Sequence, residues 1–347
     1  MSLLSLSPLK ADKTTASTTM VLATTLYGKI SPKSVRSSNS GLVSAHNMMY
    51  SHSVTIYDAK SMSLIKTVPD SVVLSDFGVK GTSGIYRGAP VEGSYSPDGK
   101  YLYVTNYAMY GKGFNKEGTD ICKPADGYDR SYLYRINLES YSIDAIYNVG
   151  TVPKVVEVTP DNKYVLVTNW CSYDLYVISV ADQKVVKVLK IGAYPRGMAV
   201  TRDGSAVYVA QMGGNVLHKI DLTAFSDTQI YIGPNPRALV LSPDEKTIYA
   251  TLNHSGQVVA LDLEKKKVVR RVTTGKATRS LALSSDGSAL FVVNFFSNSI
   301  SKLDASSFKI LQEIKSCKEP IGITFEALYQ RTWVACYGGS IKVYDNK

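Results

Sequence analysis

The sequence has no apolar run long enough to span a membrane and none of the common catalytic motifs. None of its apolar stretches approaches the ~18 residues of a membrane-spanning helix. The patterns of the serine-hydrolase nucleophile elbow, the zinc-protease helix and the phosphate-binding P-loop are also missing. No motif therefore supports an enzymatic assignment, and no membrane span is expected.

What the chain does have is an ordinary globular composition with a basic excess. Its 347 residues are 44% apolar and 20% charged, which is enough to bury a sizeable core. The formal net charge of +10 favours anionic partners without choosing among them. The Ser- and Thr-rich start predicts that residues 1–17 are a disordered or leader segment and that 18–347 form one domain.

A turn-and-strand unit recurs along the chain. Turns of the SPDG type place five Asp residues at steps of 63, 42, 41 and 42, namely Asp98, Asp161, Asp203, Asp244 and Asp286. The end of a later strand repeats at steps of 79, 42, 42, 41, 42 and 41, at Asp58, Asn137, Ser179, Asp221, Asp262, Asp304 and Asp345. A period near 42 residues, with several short strands in each unit, predicts an all-β, seven-bladed β-propeller of four-stranded antiparallel blades.

We label the strands of a blade a to d, from the central channel outward. In one repeat they are RGMAVT, AVYVAQ, NVLHKID and QIYIG. The last repeat ends in SIKVYDNK, a strand c with no strand d behind it. The segment TTMVLATTLYG, near the start, has the pattern of a strand d. Residues 18–28 are therefore predicted to close the last blade, which would otherwise present an unpaired edge.

The strand-b motif Tyr103-Val104-Thr105-Asn106 resembles that of the YVTN-repeat β-propellers, which include YncE-like and surface-layer-type proteins. The resemblance covers roughly residues 20–347. It implies a propeller and an extracytoplasmic setting, which would be periplasmic, secreted or cell-surface. The motif residues build blades rather than sites, so the resemblance does not identify a ligand.

Two long connections lie on one predicted face of the ring. Antiparallel alternation puts the d–a and b–c connections on what we call the top face, and the a–b and c–d turns on the bottom face. The first d–a connection, 69–90, and the next b–c connection, 108–131, are both swollen. Long loops in a compact repeat protein are usually functional or disordered. We interpret these two as lid-like insertions.

Basic residues recur where strand a begins, and aromatic residues recur where strand b ends. Five repeats carry a cation at the former position: Lys33, Lys154, Arg196, Arg237 and Arg279. We call these five the cation ring and predict that they surround the top of the channel, where an anion would relieve their repulsion. The aromatic residues are Tyr107, Trp170, Phe295 and Tyr337, which could stack on a ligand or pack under the loops.

The four cysteines all fall in predicted top-face connections or at their borders. They form two neighbouring pairs, Cys317 with Cys336 and Cys122 with Cys171. Adjacent connections meet the distance requirement of a disulfide, and such bonds would imply an oxidising compartment. The alternative is four buried free thiols.

Histidine gives little support for a metal site. His46, His52 and His254 are expected on the top face, but His46 and His52 belong to the first blade and His254 to the fifth. Metal ligands have to cluster, so we expect no metal. No sequence feature indicates a cofactor.

The favoured hypothesis is a non-catalytic, monomeric, extracytoplasmic propeller. It would bind an anionic small molecule, a glycan or a protein on its top face. One alternative is single-stranded nucleic-acid binding, which would use the same cations and aromatics. The other is an enzyme, since lactonases and quinoprotein-related propellers share this repeat style, although this sequence matches none of their catalytic residues.

Overall fold

The computed structural model describes residues 14–347. Within them, the chain forms seven four-stranded antiparallel sheets. Each sheet is one blade, and strand a of every blade contacts strand a of both neighbours, including blade VII with blade I. The ring is therefore closed. The predicted all-β, seven-bladed propeller is confirmed.

Strands a to d follow one another along the chain in every blade except blade VII, whose strand d comes from the N-terminal segment. Blade I consists of Ser34–Ser37, Leu42–Asn47, Ser53–Asp58 and Leu64–Pro69, and blade II of Pro90–Tyr95, Tyr101–Asn106, Tyr132–Asn137 and Ser142–Asn148. Blade III consists of Pro153–Val158, Tyr164–Asn169, Asp174–Ser179 and Lys184–Lys190, and blade IV of Pro195–Val200, Ala206–Gln211, Val216–Asp221 and Asp227–Tyr231. Blade V consists of Pro236–Leu241, Thr247–Leu252, Gln257–Asp262 and Lys267–Thr273, and blade VI of Thr278–Leu283, Ala289–Asn294, Ser299–Asp304 and Ile310–Lys315. Blade VII consists of Pro320–Glu326, Arg331–Cys336, Ser340–Asn346 and Met20–Leu26.

The core lies between neighbouring sheets, and this explains the strand sequences. Strand b of blade III, Tyr164–Asn169, is buried on both faces and is almost continuously apolar. Strand d of the same blade, Lys184–Lys190, is exposed except at the half-buried Val185 and Leu189. Because each sheet packs against two neighbours, only the outermost strand needs a polar face.

The N-terminal strand closes blade VII, as predicted. Met20–Leu26 pairs antiparallel with Ser340–Asn346, with a register shift between Leu22 and Thr24. Just before it, Thr15–Ser17 forms a 3₁₀ turn against blade VI. Of the predicted leader 1–17, residues 1–13 lie outside the described part of the chain, and the remainder contacts the ring.

The two insertions of the top face contact each other but pack on different blades. In 69–90, Ser71–Val72 pairs with Tyr86–Arg87, and Leu74–Phe77 forms a 3₁₀ turn. In 108–131, Pro124–Asp126 forms another. Arg87 and Tyr110 exchange backbone hydrogen bonds and so join the insertions. The first packs on blade II, whereas the second reaches blade III through Cys122.

Gly93, in strand a of blade II, allows blades I and II to approach closely. A Cβ at this position would lie 2.1 Å from Nε2 of His46, which is fully buried in strand b of blade I. Burial lowers the pKa of His46 to about 3, so the ring is neutral at physiological pH.

Replacing Gly93 with alanine is expected to lower the free energy of unfolding by about 2 kcal/mol, because the added methyl group overpacks the His46 ring. Denaturant unfolding would measure the change. Gly338→Ala is the matched control, since no atom lies within 4 Å of its added Cβ. Equal stability of the two variants would contradict the close packing at Gly93.

No helix within residues 14–347 is both long enough and apolar enough to cross a membrane.

Candidate functional site at the mouth of the channel

A repeated backbone turn holds the start of strand a beside the end of strand b in blades III to VII. In blades III to VII the residue before strand a has a left-handed φ of 53–59°: Val152, Tyr194, Asn235, Ala277 and Glu319. Its carbonyl accepts the backbone N–H of the residue that follows strand b: Trp170, Met212, Asn253, Phe295 and Tyr337, respectively. The start of strand a and the end of strand b are thereby held together at the top rim. Where a blade carries both residues, the cation and the aromatic therefore lie side by side, as Lys154 and Trp170 do in blade III and Arg279 and Phe295 in blade VI.

The five side chains of the cation ring converge on the channel axis. Lys154, Arg196 and Arg237 are only 4%, 7% and 6% exposed. Burial, followed by the charges of Arg196, Arg237 and Arg279, lowers the pKa of Lys33 to about 7. These arginines belong to blades IV to VI, across the ring from blade I, so the side chains point inward.

The carboxylates near these cations are too distant to form close ion pairs with them. Within residues 14–347, their shortest ion pairs are Lys154 Nζ to Asp120 Oδ1 at 3.7 Å and Arg196 Nη2 to Glu92 Oε1 at 3.8 Å. By contrast Arg36, deeper in the channel, binds both carboxylate oxygens of Glu157, at 2.9 and 2.5 Å. Buried cations without close counter-ions are costly, so the mouth favours an added anion.

The pKa values of the buried members reflect this cost. Burial is the largest cause of the lowered pKa of Lys154, and the neighbouring Arg196 lowers it further. Burial and then Arg196 also lower the pKa of Arg237, and the same two causes bring the pKa of Arg279 to about 10. In addition, Nε of Arg279 is buried and has no hydrogen-bond partner among the described atoms.

The cation ring is divided between two cavities. A channel cavity of about 550 Å³ is lined by Arg196, Arg237 and Arg279 and extends to the bottom-face turns at Ser38–Ser40 and Pro97–Gly99. A separate mouth cavity of about 440 Å³ contains Lys33 and Lys154. The sequence predicts a single site for the five cations. In the structure, the three arginines line a cavity that a ligand could also enter from the bottom face.

Two carboxylates at the mouth were missed from the sequence. Asp120, in the second insertion, raises the pKa of each of the five cations. Glu92 lies in strand a of blade II, and burial raises its pKa although Arg196 acts in the opposite direction. The only sequence signal for Glu92 is its place in a blade that lacks the basic residue. Asp120 has no equivalent in the other repeats.

The predicted aromatics pack against the cations. Lys154 Nζ lies 4.2 Å from the Tyr107 ring centroid and 5.3 Å from that of Trp170. Lys33 Nζ is 5.3 Å from the Tyr337 ring, and the Arg279 guanidinium carbon is 3.6 Å from the Phe295 ring. Trp170 and Phe295 are buried, and Trp170 also stacks on Tyr194. Cation–π contact therefore occupies faces that a ligand would need for stacking. The more accessible rings at the rim are Tyr50 and Phe296, 89% and 64% exposed.

Both cysteine pairs expected from the sequence are joined in the structure. Cys122 bonds Cys171 with a Cα–Cα distance of 5.4 Å, and Cys317 bonds Cys336 with a distance of 5.9 Å. The first bond fixes the second insertion to blade III beside the mouth. The second joins the connection before strand a of blade VII to the end of strand b of the same blade.

A serine–histidine pair lies in the channel wall, but its geometry does not activate the serine. The Ser34 hydroxyl donates to the Val91 carbonyl at 2.8 Å, because a carbonyl can only accept. Its contact with His46 Nδ1, at 2.7 Å, therefore has the imidazole N–H as donor. In this arrangement His46 does not accept the proton of Ser34, which a general base would have to do.

The histidines do not assemble a metal site. His46 is buried between blades I and II, and His52 lies 3.2 Å from Asp70 at the rim. In the described part of the chain, no group of three or more His, Cys, Asp or Glu side chains is placed to hold a metal ion.

Comparison with known proteins agrees with this architecture. Residues 125–283 match the family described as YNCE-like beta-propeller. This part of the chain is therefore similar to the YncE-like β-propellers. The match covers blades III to V, with parts of blades II and VI, including Lys154, Arg196, Arg237 and Arg279.

One curated protein is similar to this chain in sequence, and one solved structure is similar to it in fold. Antigen Lp49 of Leptospira interrogans serogroup Icterohaemorrhagiae serovar copenhageni (strain Fiocruz L1-130) is 32% identical over an alignment covering 41% of this chain and 33% of that protein. The alignment thus spans a third of the relative. A chain of Kuenenia stuttgartiensis hydrazine synthase superposes with a TM-score of 0.71 at 16% identity, over 93% of this chain and 98% of that one. The latter likeness concerns the fold alone.

Proposed function

We propose that this protein is a non-catalytic binding propeller that holds an anionic group at the mouth of its central channel. The observation that carries the proposal is the convergence of five cations whose shortest ion pairs within residues 14–347 are 3.7 and 3.8 Å long. An anion entering the mouth would offset their repulsion and the cost of their burial. The ligand is an anionic small molecule, or a glycan or protein that presents an acidic group.

Single-stranded nucleic acid is a weaker candidate for this site. It would need a groove that tracks a backbone, with open aromatic faces for the bases. The cations instead surround a closed channel, and those near Tyr107, Trp170 and Phe295 cover the rings. A lactonase or quinoprotein activity has no specific observation in its favour.

We place the protein outside the cytoplasm. The Cys122–Cys171 and Cys317–Cys336 disulfides suit an oxidising compartment. One relative is named an antigen, which is compatible with that setting.

Replacing Lys33 and Lys154 together by glutamine is expected to weaken anion binding about tenfold or more, because both amines line the mouth cavity. Titration calorimetry at low salt would measure binding of citrate, inorganic phosphate, a heparin hexasaccharide and an eight-nucleotide oligo-dT. Lys60→Gln with Lys265→Gln makes the same two lysine-to-glutamine changes at exposed bottom-face turns and serves as the control.

Three outcomes would contradict the proposal or change the ligand class. If none of the four probes binds the wild-type protein, the mouth is not an anion site. An equal loss in the control pair would indicate a general charge effect. Preferential binding of oligo-dT, with log affinity falling steeply against log salt, would favour the nucleic-acid alternative.

A further inference from the structure

We propose that Asp120 is a tethered carboxylate occupying the mouth in place of a ligand carboxylate, and that a carboxylate ligand binds by displacing it. The inference rests on the proposed function and specifies the chemistry and regulation of that site. Lys154 is enclosed by the rings of Tyr107 and Trp170, and the Asp120 carboxylate lies 3.7 Å from its amine.

The position of Asp120 is imposed by the backbone around it. Trp170 Nε1 donates to the carbonyl of Asp120 itself at 3.1 Å, and the Tyr107 hydroxyl donates to the Gly118 carbonyl at the same distance. Two residues later, the Cys122–Cys171 disulfide fixes the insertion to blade III. Groups on both sides thus hold the segment 118–122. The carboxylate is delivered to the cations at little further entropic cost.

Displacement of the carboxylate does not require the insertion to unfold. The Asp120 side chain is 87% exposed, whereas that of Lys154 is 5% exposed. A rotamer change of Asp120 would therefore separate its carboxylate from the amine while the backbone contacts remain. The ion pair is long, at 3.7 Å, and its carboxylate is exposed to solvent, so an incoming anion with more contacts can replace it.

The mouth cavity also indicates what is attached to the ligand carboxylate. Its walls combine the amines of Lys33 and Lys154 with apolar and aromatic side chains, among them Met48, Met49 and Tyr50. Its volume of about 440 Å³ suits a small organic molecule. The expected ligand is a carboxylate on a compact apolar or aromatic body, either free or as part of a larger partner.

The test compares Asp120→Asn with Glu117→Gln, using phenylacetate as the carboxylate probe and sulfate as an inorganic anion. Both substitutions remove one negative charge from the same cavity, but the Glu117 carboxylate accepts a hydrogen bond from Tyr110 at 3.0 Å and is not paired with Lys154. Titration calorimetry should show about fivefold tighter phenylacetate binding for Asp120→Asn and no change for Glu117→Gln. Thermal melting confirms that both variants are folded.

A second variant separates the tether from the charge. Cys122→Ala with Cys171→Ala keeps the Asp120 side chain but frees its segment from blade III. It should also bind phenylacetate more tightly than the wild type. Adding Asp120→Asn to this pair should then give less than the fivefold gain seen alone, because both changes remove the same competitor.

The outcomes distinguish this inference from the proposed function. If the wild type binds phenylacetate and Asp120→Asn binds it equally or more weakly, the tethered carboxylate is wrong while the anion site stands. The same holds if Glu117→Gln gains as much as Asp120→Asn. Binding of sulfate without phenylacetate would overturn the carboxylate class. If every variant fails to bind either anion or any of the four probes above, the proposed function itself is wrong.

Discussion

Removing residues 14–28 from a chain that starts at Thr14 is expected to lower the free energy of unfolding by about 5 kcal/mol and the melting temperature by roughly 10 °C. The deletion removes strand d of blade VII, Met20–Leu26, and leaves Ser340–Asn346 as an exposed edge. Because this strand joins the two ends of the chain, its loss leaves blade VII with three strands and removes the hydrogen bonds that hold the N-terminal segment to it.

A buried lysine makes this deletion more costly. Lys302, in strand c of blade VI, is fully buried, and its ammonium donates to the Thr15 carbonyl, the Thr18 carbonyl and the Thr18 hydroxyl at 2.6, 2.7 and 2.8 Å. Losing three acceptors of a buried charge costs more than losing exposed hydrogen bonds.

Thermal and denaturant unfolding of the two chains would measure the effect, and a synthetic peptide of residues 14–28 provides the control. Added in trans, the peptide should restore most of the lost stability by binding the open edge of blade VII. An unchanged melting temperature after deletion would show that closure by this strand contributes little to the fold.

The repeat alone was sufficient to predict the ring. Turn residues such as Asp98 and Asp161 recur because every blade solves the same packing problem, so spacing reveals the blades and a missing strand d reveals the closure. The alignment of Lys33 with Arg196 and Arg237 likewise follows from the repeat, since equivalent positions of strand a face the same axis.

The parts of the site outside the repeat could not be predicted. Asp120 lies in an insertion whose path depends on Trp170 and on the Cys122–Cys171 bond, and no other blade offers a comparison. The pairing of Phe295 with Arg279 depends on side-chain rotamers, which a strand pattern does not determine. Sequence periodicity therefore predicts which positions face the mouth, and the structure shows which of them remain accessible.

Anion affinity is expected to fall about fivefold between pH 7 and pH 8, because the Lys33 ammonium is half-titrated near pH 7 in the empty protein. An anion beside this amine favours its charged form and so raises its pKa, which means that binding takes up a proton. Affinity is then greatest below pH 7 and declines as the pH rises through the pKa of the empty site.

The same shift has the opposite effect on the empty protein. The pKa of Lys33 is about 7 when folded and 10.5 in its ordinary state, so between these values the unfolded chain binds more protons. The Lys33 contribution to the free energy of unfolding therefore rises with pH across this window. Ligand affinity and stability should thus respond to pH in opposite directions.

The pH dependence belongs to Lys33 only if its neighbours can be excluded. The charged or titratable groups facing it are Arg196, Arg237, Arg279, Lys154, Asp120, Tyr337, and His52 and Glu117 in the same cavity. His52 is the main competitor, since the Asp70 carboxylate, 3.2 Å from its Nδ1, raises its pKa. Citrate or phenylacetate titrations from pH 6 to 9 should keep the decline in His52→Gln and lose it in Lys33→Gln. A decline that survives in Lys33→Gln and disappears in His52→Gln would assign the proton to His52 instead.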